Sequence, residues 1–162
     1  MSEYAELVNF YAGRFKVPPA LALAQMQQES DGNPQARSRV GAVGLFQVMP
    51  STAAWLESFP EPAVSSGVWF LRHLYDGITF AATNSDRWQF ALAEYNDGPG
   101  SVARARRFCE AAQKNSTVWA NVKPYTPPET QNYVRVIWER STDRPQAAAV
   151  PIPIDPDITV HG

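Results

Sequence analysis

Glu29 stands in "QESDG", at the end of a run from Val17 to Gln28 that holds no charged side chain. A carboxylate so placed has a definable chemistry. If the run is a helix, Glu29 sits near the negative end of its macrodipole, where an added negative charge is disfavoured. Apolar surroundings push the same way, because desolvation favours the neutral acid. Both effects raise the pKa. That suits a group that holds a proton near neutral pH and then gives it up. The placement costs stability and serves acid chemistry. The other reading is a solvent-exposed glutamate on a polar edge, and placement alone does not separate the two.

Few other residues offer chemistry by spacing. The single cysteine, Cys109, permits no intramolecular disulfide and reads as a small apolar filler. His73 and His161 are far apart, and no CxxC or HExxH spacing occurs, so neither a metal site nor any cofactor is expected. His73 reads as an ordinary helix residue.

The elements that must position Glu29 are helical. Tyr4, Leu7, Val8, Tyr11 and Phe15 recur at spacings of three and four, which predicts a helix over 2–15 with Ser2 as its cap. "VPPA" opens a second helix, from about Pro19 to about Ser30, with proline in its first turn and Gly32 and Pro34 beyond its end. Residues 31–49 hold three glycines and little period, and read as a structured loop with short extended pieces. Helices are expected from "PSTAAWL", over 65–76, over 86–95 capped by Asp86, over 101–113, and from "PETQNYVRVIWER". "FPEPAVSS" and "NSTVWANVKPYTPP" read as loops. Residues 143–162 are rich in proline and small residues and read as an extended tail. The expected organisation is therefore a mostly α domain over 1–142 and a Pro-rich tail over 143–162.

With 162 residues, 44% hydrophobic and 19% charged, the chain has the composition of one globular domain. A formal charge of −2 speaks against a general nucleic-acid binder. Residues 101–140 nonetheless hold seven Lys or Arg against three acids, with Arg104, Arg106 and Arg107 clustered. A solvated helix face is the plain reading, and an anion-attracting rim the sharper one. The N-terminus, with Glu3 and Glu6, is not a signal peptide, and no stretch approaches a bilayer span.

Four segments in order settle the reading of Glu29: "QES", "GAVGLFQVMPSTA", "AEYNDGPGSV" and "PPETQNYV". Together they resemble the catalytic domain of the soluble lytic transglycosylases, peptidoglycan-cleaving enzymes marked by an ES pair, a GLMQ loop followed by MP, an AYNAG motif and a late PET-NY segment. The resemblance runs from about Leu21 to about Trp138. It implies a lysozyme-like α fold with a glycan-binding cleft between two lobes. Carried over, it makes Glu29 the catalytic acid/base, with Ser30 beside it ending the helix. Tyr133 becomes the tyrosine that orients that glutamate. Ser38, Gln47, Met49, Tyr95, Asn96 and Glu129 become substrate-binding positions. Plainer roles stand beside these. Gln47 would satisfy a backbone group, Tyr95 and Tyr133 would be core residues, and Gly41 and Gly44 would permit a turn. Trp119 reads as a loop anchor, and Tyr125 stays open between anchoring and sugar stacking. Phe46 departs from the methionine of GLMQ and reads as a stiffer apolar wall. Asp97 departs from the alanine of AYNAG and reads as a turn residue or as a charge that disturbs Glu29.

The implied reaction breaks the bond between N-acetylmuramic acid and N-acetylglucosamine without water, leaving a 1,6-anhydro end. Ordinary glycosidases use two carboxylates; here only Glu29 has a strong claim, so the substrate supplies the second group. Two rival readings remain. One is a hydrolytic muramidase of goose-type lysozyme character with a water held by Asp97 or Asp31. The other is a peptidoglycan-binding module without catalysis. A nucleic-acid partner is not expected. The expected partner is the glycan strand of the cell wall. The expected setting is phage lysis or entry, or a secretion apparatus, with the tail either a docking peptide or idle.

Overall fold

The structure, a computed structural model, describes residues 3–56 and 61–142. The expected cap Ser2 and the tail over 143–162 lie outside them. The described elements are α1 (Ala5–Phe15), α2 (Pro19–Ser30), α3 (Pro50–Leu56), α4 (Pro62–Gly77), α5 (Asn84–Asp97), α6 (Pro99–Ala111), α7 (Trp119–Val122), a 3-10 turn (Lys123–Tyr125) and α8 (Pro128–Thr142). Pairing of the β type is confined, among the described residues, to isolated bridges of Val43 with Arg37 and with Val48. They are the short extended pieces expected inside the glycine-rich loop.

Local chemistry explains most of the boundaries. In α1, Val8, Tyr11 and Ala12 face inward at helical spacing. The chain then turns at Lys16, whose φ of 56° ends the helix, and Val17 donates back to the Ala12 carbonyl at 2.8 Å. Pro19 sits in the first turn of α2, where its missing N–H costs nothing. Asp31, with φ 53°, ends that helix immediately after the "ES" pair.

Three expectations need correction. The helix placed at 86–95 begins at Asn84, because Thr83 is the cap: its hydroxyl accepts from Asp86 N at 3.0 Å. Asp86 instead turns inward, and its carboxylate accepts from the Trp119 backbone N–H at 2.8 Å. The helix placed at 65–76 begins at Pro62, again a proline suited to a first turn. The segment read as a loop of aromatics and prolines contains α7 and the 3-10 turn. Asp86 holds the start of α7 in place.

The core is one cluster. α2 packs on α1 and α8; α5 packs on α4, α6, α7 and α8. Val8, Leu21, Leu45, Phe46, Leu71, Phe90 and Ile137 are each no more than 1–2% exposed within it. Cys109 is fully buried, as a filler would be. Trp119 is buried edge-on to Phe90, with ring centroids 5.4 Å apart, so it anchors its segment. The position of α2 between α1 and α8 brings the end of the neutral run against the last helix of the domain.

Candidate active site

Glu29 is half-buried on the last turn of α2. Tyr133, buried on α8, donates to Glu29 Oε1 at 2.5 Å. The two residues are 104 apart in sequence. Burial pushes the Glu29 carboxyl up to about 7, against the opposing pull of the Tyr133 bond. The polar-edge alternative for Glu29 does not describe this placement. The hydroxyl of Tyr133 is in turn pushed well above its usual range, first by burial and then by the Glu29 charge. The same two causes raise the Tyr95 hydroxyl. Glu29 thus bonds one phenol, Tyr133, and bears on a second, Tyr95, and among the described residues no cation is paired with it.

The loop over 31–49 is tied to this end of α2. Ser30 Oγ donates to the Leu45 carbonyl at 2.8 Å and, at 3.3 Å, to that of Met26. Tyr95 Oη, from α5, donates to the Phe46 carbonyl at 2.7 Å. One loop is therefore held from both sides of the acid. Gly44, with φ 80°, gives the loop a turn that a side chain would strain, and its N–H reaches the Ala36 carbonyl at 2.9 Å.

The other expected site residues divide. Gln47 takes a φ of 48°, and its Nε2 donates to the carbonyls of Ala36 and Gly44 at 3.1 and 2.9 Å. That is the plainer of its two roles, since its N–H groups serve the loop. Ser38 Oγ accepts from Ala42 N at 2.9 Å and closes a neighbouring turn. Met49 is 41% exposed at the loop's end, open to a ligand. Asn96 Oδ1 accepts from Thr130 Oγ1 at 2.8 Å, which joins the end of α5 to the start of α8. Glu129 is exposed in the first turn of α8, where the helix dipole favours an acid. The described hydrogen bonds bring Glu29, Tyr133, Tyr95 and Asn96 into the same α2–α5–α8 junction. Ser38 and Gln47 join it through the loop backbone.

Phe46 is not an apolar wall. It is 1% exposed, with its ring pressed against Gly67 of α4. Arg106 likewise leaves the basic cluster: its guanidinium lies 3.4 Å over the Phe80 ring and its Nε donates to the Ser116 carbonyl at 3.2 Å. Arg104 and Arg107 remain exposed on α6, as a solvated face would have them.

Two residues escape a reading by motif. Glu94, half-buried on α5, has its carboxyl pushed up to about 7 by burial, against the pull of Arg106. Its signal is in "AEYNDG", where a glutamate occupies the first alanine of the AYNAG pattern. Gln25, fully buried on α2, donates from Nε2 to Tyr133 Oη at 3.1 Å. It has no motif signal, being one amide in an uncharged run.

Among the described residues no group of three or more His, Cys, Asp or Glu is arranged to hold a metal ion. No helix among them is long and apolar enough to cross a membrane.

The transglycosylase SLT domain matches residues 6–118. Similar curated proteins include the membrane-bound lytic murein transglycosylase F of Shewanella frigidimarina, 30% identical over 131 residues, which takes in 78% of this chain and 27% of the relative. The protein of the same name from Vibrio cholerae is 30% identical over 131 residues, 78% of this chain and 24% of its own. The chain thus spans about a quarter of the length of the curated relatives it matches. Among solved structures, the 70 kDa soluble lytic transglycosylase of Escherichia coli superposes with a TM-score of 0.64 at 26% identity, over 85% of this chain and 23% of that one. A complex of the 70 kDa soluble lytic transglycosylase with bulgecin A gives 0.65 at 27%, over 86% and 23%. The fold is the lysozyme-like α fold of these neighbours.

Proposed function

The chain belongs to the transglycosylase SLT family, and from that we propose that it is a peptidoglycan lytic transglycosylase with Glu29 as its acid and base. Glu29 protonates the glycosidic oxygen between N-acetylmuramic acid and N-acetylglucosamine. The muramoyl N-acetyl group assists at C1 as that bond breaks. Glu29, now a carboxylate, takes the proton of the C6 hydroxyl, whose oxygen closes on C1 to give the 1,6-anhydro ring. No water is consumed, and Glu29 ends protonated as it began. Tyr133 orients the carboxyl. Tyr95, Asn96, Met49, Ser38 and Glu129 are the positions assigned to the glycan, and Gln47 holds the loop that carries Ser38 and Met49.

The observation that carries this reading is the Tyr133–Glu29 bond at 2.5 Å on a carboxyl raised to about 7. A group that must both give and take a proton near neutral pH works best with such a pKa. A module that only binds glycan has no use for a desolvated acid, whose placement costs stability. Both curated relatives named above are bacterial proteins described as membrane-bound; we infer that the reaction takes place at the bacterial cell wall, with phage lysis or entry, or a secretion apparatus, as the proposed setting.

Purified peptidoglycan is digested with the native protein and with Glu29→Gln, and the muropeptides are weighed. Products ending in 1,6-anhydromuramic acid, absent with the variant, are expected. Products heavier by one water would reassign the protein as a muramidase and turn attention to Asp97 and Asp31. Glycan binding without products would make it a binding module.

A further inference from the structure

Gln25 and Glu29 occupy one face of α2, four residues apart, and both reach the same hydroxyl on α8. Gln25 Nε2 donates to Tyr133 Oη at 3.1 Å, and Tyr133 Oη donates to Glu29 Oε1 at 2.5 Å. A phenol carries one proton, and an amide N–H can only donate. Gln25 therefore occupies a lone pair of Oη and leaves the single proton for Glu29. The direction of donation runs from Gln25 through Tyr133 to a carboxylate.

The neighbours of Gln25 on the buried side of α2 are apolar: Leu21, Ala22, Ala24 and Met26. Gln25 is 0% exposed among them, and its Oε1 has no hydrogen-bond partner. A buried, unsatisfied carbonyl oxygen destabilises a fold, and an apolar side chain of similar size would pack there at lower cost. An unsatisfied group one helical turn from the acid calls for an explanation. The amide supplies one. Its two ends have the same shape and opposite hydrogen-bonding character. With Glu29 ionised, Nε2 faces Tyr133, as in the structure. With Glu29 protonated, the acid O–H donates to Tyr133, and the Tyr133 O–H donates a hydrogen bond to Oε1 of the reversed amide.

We propose that Gln25 is a positioning residue that keeps the Tyr133 hydroxyl bonded to Glu29 in both protonation states of the carboxyl, a role that rests on Glu29 being the acid and base of the reaction. It touches no substrate and acts through Tyr133. The ionisable groups that bear on Glu29 from the packed helices are Tyr133 on α8 and Tyr95 on α5.

Gln25→Met tests it, with Gln25→Leu as a second apolar variant. At least one should be as thermally stable as the native protein, since an unpaired oxygen is gone. The expected loss is about tenfold in kcat with KM within about twofold, and an alkaline limb moved to higher pH because Tyr133 has become a weaker donor. In a Tyr133→Phe background, Gln25→Met should cost nothing further. Native kcat and an unmoved pH profile would overturn the proposal, as would an undiminished loss in the Tyr133→Phe background. Failure of both variants to fold would overturn it too, because Gln25 would then be a structural residue of the core. Carbon-13 NMR of the Glu29 carboxyl, titrated in native and Gln25→Met protein, reads the coupling without substrate. A protein that cuts nothing therefore sinks the proposed activity, while an unchanged Glu29 titration sinks the role of Gln25.

Discussion

Gly67 lies against the ring of Phe46: a methyl built on it would overlap Cβ and Cγ of Phe46 and come within 2.8 Å of its Cδ2. The ring is fully buried and its carbonyl receives the Tyr95 hydroxyl. The missing side chain on α4 is what lets the loop over 31–49 seat beside the acid. Gly67→Ala should destabilise by about 1–3 kcal/mol, the usual cost of overpacking. Phe46→Ala, which removes the Cγ and Cδ2 that the new methyl would overlap, should recover part of that loss in the double variant, although each change alone destabilises. Urea denaturation of the four proteins checks the coupling.

Glu29 and Glu94 set the pH dependence of stability. Both carboxyls are raised from 4.5 to about 7 by burial. Between those values the folded protein holds protons that the unfolded chain has released. Stability is therefore greatest below about 4.5 with respect to these two groups, falls as pH rises toward 7, and levels off above it. Glu29→Gln should relieve about 1–3 kcal/mol at pH 8 and little at pH 4, and Glu94→Gln, at a wetter site where solvent screens the charge, should relieve less. Denaturation midpoints measured at both pH values decide it; equal gains at the two would contradict the shift.

The pH dependence of cleavage follows from the acid role proposed for Glu29. Its carboxyl must be protonated when substrate binds, so kcat/KM should fall as pH rises past about 7. Glu29→Gln should lose about 10²–10⁴-fold, the range for a general acid. A rate that keeps climbing to pH 9 would deny Glu29 the proton-donating step.

Tyr133→Phe removes the bond that opposes the raised pKa of Glu29. The Glu29 titration should move further up, and activity should fall by about tenfold or more. Gln25 Nε2 also loses its acceptor in a buried site, at a cost of about 1–3 kcal/mol. Stability and the Glu29 titration can be measured on the same sample. An unchanged titration would show that the 2.5 Å bond does not influence the acid.

Asp86 carries more than a helix start. Its carboxylate receives the Trp119 N–H at 2.8 Å and the Thr83 hydroxyl at 2.6 Å. Asp86→Ala should cost about 2–4 kcal/mol, as a buried donor is left unpaired and a charged hydrogen bond is lost. Thr83→Ala should cost about 1 kcal/mol, as an ordinary cap does. Thermal denaturation ranks the two, and the reverse order would return Asp86 to the capping role.

The helices were legible because their apolar residues recur at helical spacing, as Val8, Tyr11 and Ala12 do in α1. Proline in first turns gave Pro19 and Pro128 their places. What hid in the sequence was direction. Asp86 and Thr83 both have capping chemistry, and only the packing of Trp119 turns one of them inward. Phe46 looks like a wall residue until Gly67 is brought against it from another helix. Glu29 stood out because it ends an uncharged run, and the four ordered segments around it, not that placement, gave it the reading of an acid. Glu94 showed only as a departure from the first alanine of AYNAG, because its burial depends on packing between helices. Gln25 was hidden for the same reason: its partner Tyr133 is 108 residues away.

That separation has a consequence in time. Glu29 acquires its burial and its phenolic partner only when α8 docks against α2, and α8 is the last of the described helices to leave the ribosome. Before that docking, the glutamate is a solvated side chain with an ordinary carboxylate pKa, and it holds no proton at neutral pH. Loop closure across so long a stretch is among the slower events of folding. The acid proposed for this chain therefore gains its raised pKa only at the end of folding.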